Sequence, residues 1–308
     1  MAVRQAGDAL LAVAGTVTKA AESLWQAREQ LGRNNLAGVD DPRLDTILHP
    51  DVLAYLRSVR FAGMRRARFT GPRRRVKACL HPNAKKNLGQ VYSQLWKDVR
   101  KHRALVVDRD HPGLETTISS PFEAVDKLLP DRTISPDKRV VHDQRGVNYY
   151  TDKTWHPPAA QPSHAQVAKR ILLWKLRAPG LPVLLAKKDV AGAFRLLWVS
   201  PEDVELFAGD VPWSPSDMGP SAEETQGGKE MTIIYLVSSF GFSGSPGEWA
   251  IWGRSTEEFH RSYRPEMSRR DGAYGFESKI LVDDNVLVEP WIGLRPWVSA
   301  ETYEEGRR

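Results

Sequence analysis

Two adjacent carboxylates, Asp283-Asp284, stand between the apolar residues Ile280-Leu281-Val282 and the run Asn285-Val286-Leu287-Val288. Neighbouring like charges repel unless a cation offsets them, and a hard divalent cation takes oxygen ligands of this kind. The flanking β-rich runs, joined by Asp-Asp-Asn, predict a hairpin whose turn presents both carboxylates side by side. Adjacency alone carries little weight. Asp40-Asp41 is a second such pair in a polar, loop-like stretch, and an ordinary acidic turn explains either pair taken singly.

The pair gains meaning from three blocks upstream. Leu184-Leu185-Ala186-Lys187-Lys188-Asp189 is a strand-like run that reaches an aspartate and continues as Val190-Ala191-Gly192-Ala193-Phe194. Phe240-Gly241-Phe242-Ser243-Gly244-Ser245-Pro246 is a glycine-rich loop that opens a helix. Arg139-Val140-Val141-His142-Asp143-Gln144-Arg145-Gly146-Val147-Asn148 forms an Arg-x-x-x-Asp-x-Arg-x-x-Asn block, and Ala124-Val125-Asp126-Lys127 precedes it. In this order and spacing, roughly from residue 120 to 290, the blocks resemble the fingers and palm of reverse transcriptases. Phe240 and the pattern after it look closer to the retrotransposon enzymes than to the retroviral ones.

The resemblance implies an α+β right-hand polymerase fold with fingers and palm, and an RNA-directed DNA polymerase activity. Chemistry of that class holds the attacking 3′-hydroxyl and the leaving pyrophosphate with two divalent ions about 3.5–4 Å apart. It implies Asp189 and Asp283 as bridging ligands, Asp284 as a more peripheral carboxylate, and the main-chain carbonyl of Val190 completing one shell. Oxygen-only, partly hydrated sites suit Mg²⁺, with Mn²⁺ as a substitute. Lys127 and Arg139 match positions that grip the triphosphate of a deoxynucleotide. Phe194 matches the ring that excludes a 2′-hydroxyl, although a core aromatic after a strand is the plain alternative. Phe240 and Gly241 match the nucleotide-facing loop, where glycine leaves room for the substrate. Asp143, Arg145 and Asn148 brace the fingers hairpin in an alternative, structural role.

The chain also departs from the family pattern. Leu281 stands where most relatives carry tyrosine, and Ser238-Ser239 replaces Leu-Pro before the glycine-rich block. Arg308 follows soon after the hairpin, which leaves too few residues for a thumb or an RNase H domain. A fragment of a larger polyprotein or a decayed element is therefore expected, with a noncatalytic, nucleic-acid-binding relic as the alternative function.

Composition agrees with a nucleic-acid enzyme without requiring one. The formal charge is +6 over 308 residues. Residues 1–180 hold 31 Lys+Arg against 17 Asp+Glu, and residues 181–308 hold 13 against 21, so a basic half precedes an acidic, carboxylate-bearing one. The cations concentrate in a run that includes Arg65, Arg66, Arg68, Arg73, Arg74, Arg75 and Lys77, interleaved with Phe61 and Phe69. Arginine forks bind phosphate and aromatic rings stack on bases, so this run is a candidate track for an RNA or DNA template with its primer. A merely solvated charge run is the alternative. The single cysteine, Cys79, excludes an internal disulfide and a cysteine-built zinc site, and fits an intracellular compartment. No apolar run approaches the roughly 20 residues that span a bilayer, so no membrane partner is expected.

These motifs require elements to position them. Helical spacing predicts one amphipathic helix over residues 5 to 32, a second over 50 to 60 and a third over 88 to 104. A helical basic extension is expected to fill 1–115, fingers 116–180 and palm 181–308. Thr116 to Val125 and Arg139 to Val147 are expected to pair across a loop from Pro130 to Lys138. Ser163 should cap a helix reaching Arg177, and Ser245 with Glu248 forms a capping-box sequence. Residues 209 to 229 are expected to form a surface loop.

Overall fold

The computed structural model describes residues 2–30, 36–159, 161–214, 228–263, 275–282 and 284–306. It is an α+β fold with small antiparallel sheets, divided into two compact units that interleave along the chain. No helix among the described residues is long and apolar enough to cross a membrane.

The first unit combines Met1–Arg33, Ala62–His156 and Leu197–Ser245. Its main sheet has the order β1 (Ala104–Asp108), β6 (Glu230–Tyr235), β5 (Ala208–Pro212), with β6 central. Each strand is apolar on alternate residues or throughout, and Val107, Ile234 and Val211 are fully buried. The expected N-terminal helix is two, α1 (Ala2–Ala14) and α2 (Val17–Gln30). The break falls at Gly15, whose φ of +78° is left-handed and closes the first helix. Helix α1 docks on β1, where Asp8 accepts the Asp108 backbone N–H at 2.6 Å. On α2, Arg28 is 2% exposed, its guanidinium 3.9 Å from the Trp25 ring centroid and 4.7 Å from that of Trp198. A charge is thus buried against two π faces, which lowers its desolvation cost.

A second pair in this unit, β2 (Phe122–Leu128) with β3 (Ile134–His142), is the hairpin expected around the Arg-x-x-x-Asp block, its first strand lying later and its second earlier in the chain than the sequence implies. Part of the expected loop, Ile134 to Lys138, is strand. The expected surface loop also begins later than residue 209. Residues 209–212 belong to a buried strand, because alternate apolar residues and Asp210 all face partners inside the unit. Residues 215–227 of that loop lie outside the described residues.

The second unit joins Asn34–Phe61, Pro157–Leu196 and Pro246–Arg308. Residues 34–61 therefore do not belong with the rest of the expected N-terminal extension. Three strands form its sheet in the order β4 (Val183–Asp189), β8 (Asp284–Pro290), β7 (Ser278–Leu281). After α3 (Leu44–Ile47), α4 (Pro50–Ala62), α5 (Pro82–Lys86), α6 (Leu88–Arg100) and α7 (Arg145–Tyr149) in chain order, helix α8 (His164–Arg177) starts where the sequence indicates, since Ser163 and Gln166 exchange side-chain and backbone hydrogen bonds in a capping box. Its Trp174, 1% exposed, donates to the Val288 carbonyl at 3.2 Å. Two further helices, α9 (Ser245–Ser262) and α10 (Arg295–Gly306), carry Phe259 and Tyr303, both buried. The Ser245 hydroxyl, expected to cap α9, donates instead to the Ser239 carbonyl at 2.9 Å.

Each unit holds a buried histidine whose pKa is depressed, His156 packed on Phe242 of the glycine-rich block and His260 in the second unit. Burial depresses His260, and burial together with the Arg65 charge depresses His156, each from the usual 6.5 to about 4. Both are neutral in the fold, and His260 spends its ring nitrogens on Ser278 and Ser299. Below pH 6.5 the unfolded chain takes up protons that the folded chain does not, so stability falls as pH drops from about 6.5 to 4. The loss is on the order of 3 kcal/mol per histidine at full effect. Urea unfolding at pH 7 and pH 4.5 should show it, and His260→Gln should flatten the pH dependence.

Candidate functional site

Strand β4 ends on Asp189 and strand β8 begins on Asp284, and the two residues are directly paired in the antiparallel register. Directly opposed residues project from the same face of a sheet. Two carboxylates separated by 95 positions in sequence thus lie side by side on the second unit's sheet. Alternation along β4 puts Leu185 and Lys187 on that face too, and Leu185, Lys187 and Asp189 are exposed. The Lys187 ammonium lies 2.8 Å from an Asp284 oxygen, with the lysine side chain 67% and the aspartate 40% exposed. An exposed cation therefore already partly offsets the paired carboxylates.

The hairpin turn falls one residue earlier than the sequence implies. Leu281 pairs with Asp284, so Asp284 and Asn285 belong to β8 instead of to the turn. Asp283 lies outside the described residues. Val282, just before it, has φ +60°. That left-handed conformation is costly for a β-branched residue and persists only where its surroundings impose it. The Trp249 indole N–H, from α9, donates to the Val282 carbonyl and holds the turn. Behind the turn, Glu257 accepts the Ile280 N–H at 2.7 Å, and burial raises its carboxyl above the usual range.

Val190, 8% exposed, follows Asp189, and its carbonyl accepts the Ala193 N–H at 3.1 Å, which leaves one lone pair for another partner. Phe194 lies in the short turn Ala193–Leu196 and is 4% exposed. So buried a ring has a packing role, which favours the plain alternative over a ring offered to a sugar. Phe194→Val should lower stability by about 2 kcal/mol, as large-to-small core substitutions do. Urea unfolding measures this, and a selective gain in ribonucleotide use without loss of stability would restore the sugar-gate role.

In the first unit, the Arg-x-x-x-Asp block and the glycine-rich block meet. Gly241 has φ +115°, and a Cβ there would stand 1.9 Å from the His142 carbonyl oxygen. Its glycine is thus required by the protein's own backbone. Asn148 clamps the same loop, donating to the Gly241 carbonyl at 2.7 Å and accepting the Ser243 N–H at 2.9 Å. Asp143 is held well below the usual carboxylate range, first by the Arg145 guanidinium, with His81 adding a second bond. The bracing role anticipated for this block is thus visible for Asp143, Arg145 and Asn148. Phe240 remains 40% exposed. Lys127 and Arg139 are exposed on the β2–β3 hairpin, Lys127 at a register irregularity, and neither has an ion-pair partner among the described residues.

The basic run divides between buried and solvent-exposed partners. Arg75 lies 3.1 Å from Asp210, which is completely buried, and Arg73 lies 3.2 Å from Asp203, also buried. Arg66 pairs with Glu202, Lys77 with Asp110, and Arg65 and Arg68 pack on Trp155. Arg74 alone of the seven is exposed without an ion-pair or ring partner among the described residues. Arg73 and Arg75 thus serve buried carboxylates, Arg66 and Lys77 hold solvent-exposed pairs that are weak and open to exchange, and Arg74 is open.

Among the described residues, no cluster of three or more His, Cys, Asp or Glu side chains is grouped to hold a metal. The Asp189–Asp284 pair offers oxygen donors only, which suits Mg²⁺ better than a softer ion. Sequence reasoning passed over Lys187 and Trp249. Period-two alternation from Asp189 would have put Lys187 on the carboxylate face, whereas nothing local marks Trp249 as the partner of a turn 33 residues away. Neither protein-family models nor curated proteins yield a match to this chain.

Proposed function

We propose that this chain is the fingers and palm portion of an RNA-directed DNA polymerase of retrotransposon type, adding deoxynucleotides to a primer 3′-hydroxyl. The single observation that carries this reading is the direct cross-strand pairing of Asp189 with Asp284 on an exposed sheet face. Such a pairing, at the end of one strand and the start of its neighbour, suits carboxylates that act together, and Asp283 joins them by resemblance. Asp189 and Asp284 would hold Mg²⁺, which supplies charge stabilisation for phosphoryl transfer when bound. Lys187 would then exchange its contact with Asp284 for solvent. Lys127 and Arg139, exposed and without ion-pair partners among the described residues, are suited to triphosphate oxygens. The braced loop at Phe240 and Gly241 gives the fold a rigid wall for a nucleotide.

The test is primer extension with the full chain, an RNA template, a DNA primer, one deoxynucleotide and Mg²⁺. Incorporation that requires template, primer and metal supports the reading. Specific retention of primer–template with no incorporation under any divalent metal would favour the noncatalytic alternative.

A further inference from the structure

Helix α9 meets the β7–β8 hairpin through Trp249, Gly253 and Glu257, which are spaced four apart and therefore share one face. Gly253 brings the helix close to β7, for a Cβ there would stand 3.1 Å from the Ile280 Cγ2. Glu257 accepts the Ile280 backbone N–H at 2.7 Å and so fixes the strand just before the turn. Trp249, 8% exposed, donates its indole N–H to the Val282 carbonyl in the turn itself. Val282 follows Leu281, which pairs with Asp284, and Asp284 pairs in turn with Asp189. The indole bond thus acts on a left-handed residue two positions before a carboxylate of the candidate site. Left-handed backbone is unfavourable for any residue with a Cβ, and more so for a β-branched one, so it persists only where a neighbour imposes it. Packing alone does not impose it here. A cavity of about 190 Å³ borders Trp249, Ile280 and Val282 and leaves the turn room to relax.

We infer that Trp249 is a positioning residue for the metal site: its indole N–H keeps Val282 left-handed and so holds the turn in the form that sets Asp284 opposite Asp189. This role rests on the reading of Asp189 and Asp284 as ligands of a divalent ion. Without the bond, Val282 would relax towards ordinary backbone angles and carry the start of β8 with it. Glycine at 282 would have no such preference, since it takes positive φ as readily as negative. The probe is Mn²⁺ titrated into the full chain, with free Mn²⁺ read from its electron paramagnetic resonance signal. Binding that disappears in Asp189→Asn defines the carboxylate site. Trp249→Phe keeps a ring and removes the donor, and should weaken Mn²⁺ there by about fivefold to tenfold, the usual effect of losing one neutral hydrogen bond. Val282→Gly alone should bind like the parent chain, and added to Trp249→Phe it should recover most of the lost affinity. The single and double variants share the same loss of packing at 249, so a difference in Mn²⁺ affinity between them reports the turn and not the core. Melting temperatures confirm folding. Should the smaller ring unfold the chain, β-(3-benzothienyl)alanine at 249 keeps the bicyclic shape without the N–H and carries the same expectations. Parent-like Mn²⁺ affinity without the indole N–H, or no recovery on adding Val282→Gly, would overturn the positioning role and leave the metal site standing. A parent chain with no Mn²⁺ binding that depends on Asp189 would overturn the metal reading and this role together.

Discussion

Asp189→Asn should lower primer extension by about a thousandfold or more, comparable to removing a preorganised electrostatic group from an active site. Asparagine keeps the size of the side chain and its place opposite Asp284, so folding should be little affected. What changes is charge. One carboxylate of the pair becomes a neutral amide, and a divalent ion loses the ligand that most favours it. Asp284→Asn should behave in the same direction with a smaller effect, because Asp284 is the more peripheral ligand by resemblance. Lys187→Met separates this from general damage. It removes the ammonium 2.8 Å from Asp284 without touching either carboxylate, so the Mg²⁺ concentration for half-maximal activity should fall. Rates measured against Mg²⁺ for all three variants decide the matter. Wild-type activity in Asp189→Asn would refute the carboxylate pair as a catalytic centre.

The largest stability effect belongs to Asp210, a residue in the stretch that sequence alone presents as a loop. Its carboxylate is completely buried and accepts the Ser119 hydroxyl at 2.8 Å, the Thr232 hydroxyl at 2.7 Å, the Ala78 N–H at 2.9 Å and the Arg75 guanidinium at 3.1 Å. Arg109 stands 3.5 Å away on the other oxygen. Asp210→Ala removes the common acceptor and leaves buried donors and two guanidinium groups unsatisfied. The expected cost is about 3–5 kcal/mol, the range for breaking a buried ion pair by deleting one partner. Arg75→Ala should cost a similar amount, and the double variant less than the sum, since both belong to one network. Arg74→Ala, one residue away and exposed, should leave stability within about 0.5 kcal/mol. It should lower the salt slope of nucleic-acid binding by about one. Denaturant midpoints and binding isotherms for Arg74→Ala and Arg75→Ala together show which cations serve the fold and which remain for a polyanion.

Much of the local architecture was legible in the sequence. The Ser163 and Gln166 pairing marks the start of α8, because a capping box needs only residues three apart. The apolar run ending at Asp189 and the runs around Asp283-Asp284 announce β4, β7 and β8, because period-two spacing is a local property. Gly15 is visible in the sequence too, yet the helical spacing continues through it, since a glycine inside a helical pattern does not itself declare a left-handed φ.

The sequence by itself determined which residue types could do chemistry and which short elements would carry them, because propensity, alternation and capping act over a few residues. Only the tertiary structure decided partnership. It put Asp284 opposite Asp189 through strand register, and it spent Arg75 on a carboxylate 135 residues away. It buried Phe194 and gathered residues 34–61 with the carboxylate sheet. The physical reason is that a charge or a ring carries no local sign of what will face it. Burial and pairing are settled by long-range packing, where the free energy of desolvation exceeds any preference legible within one segment.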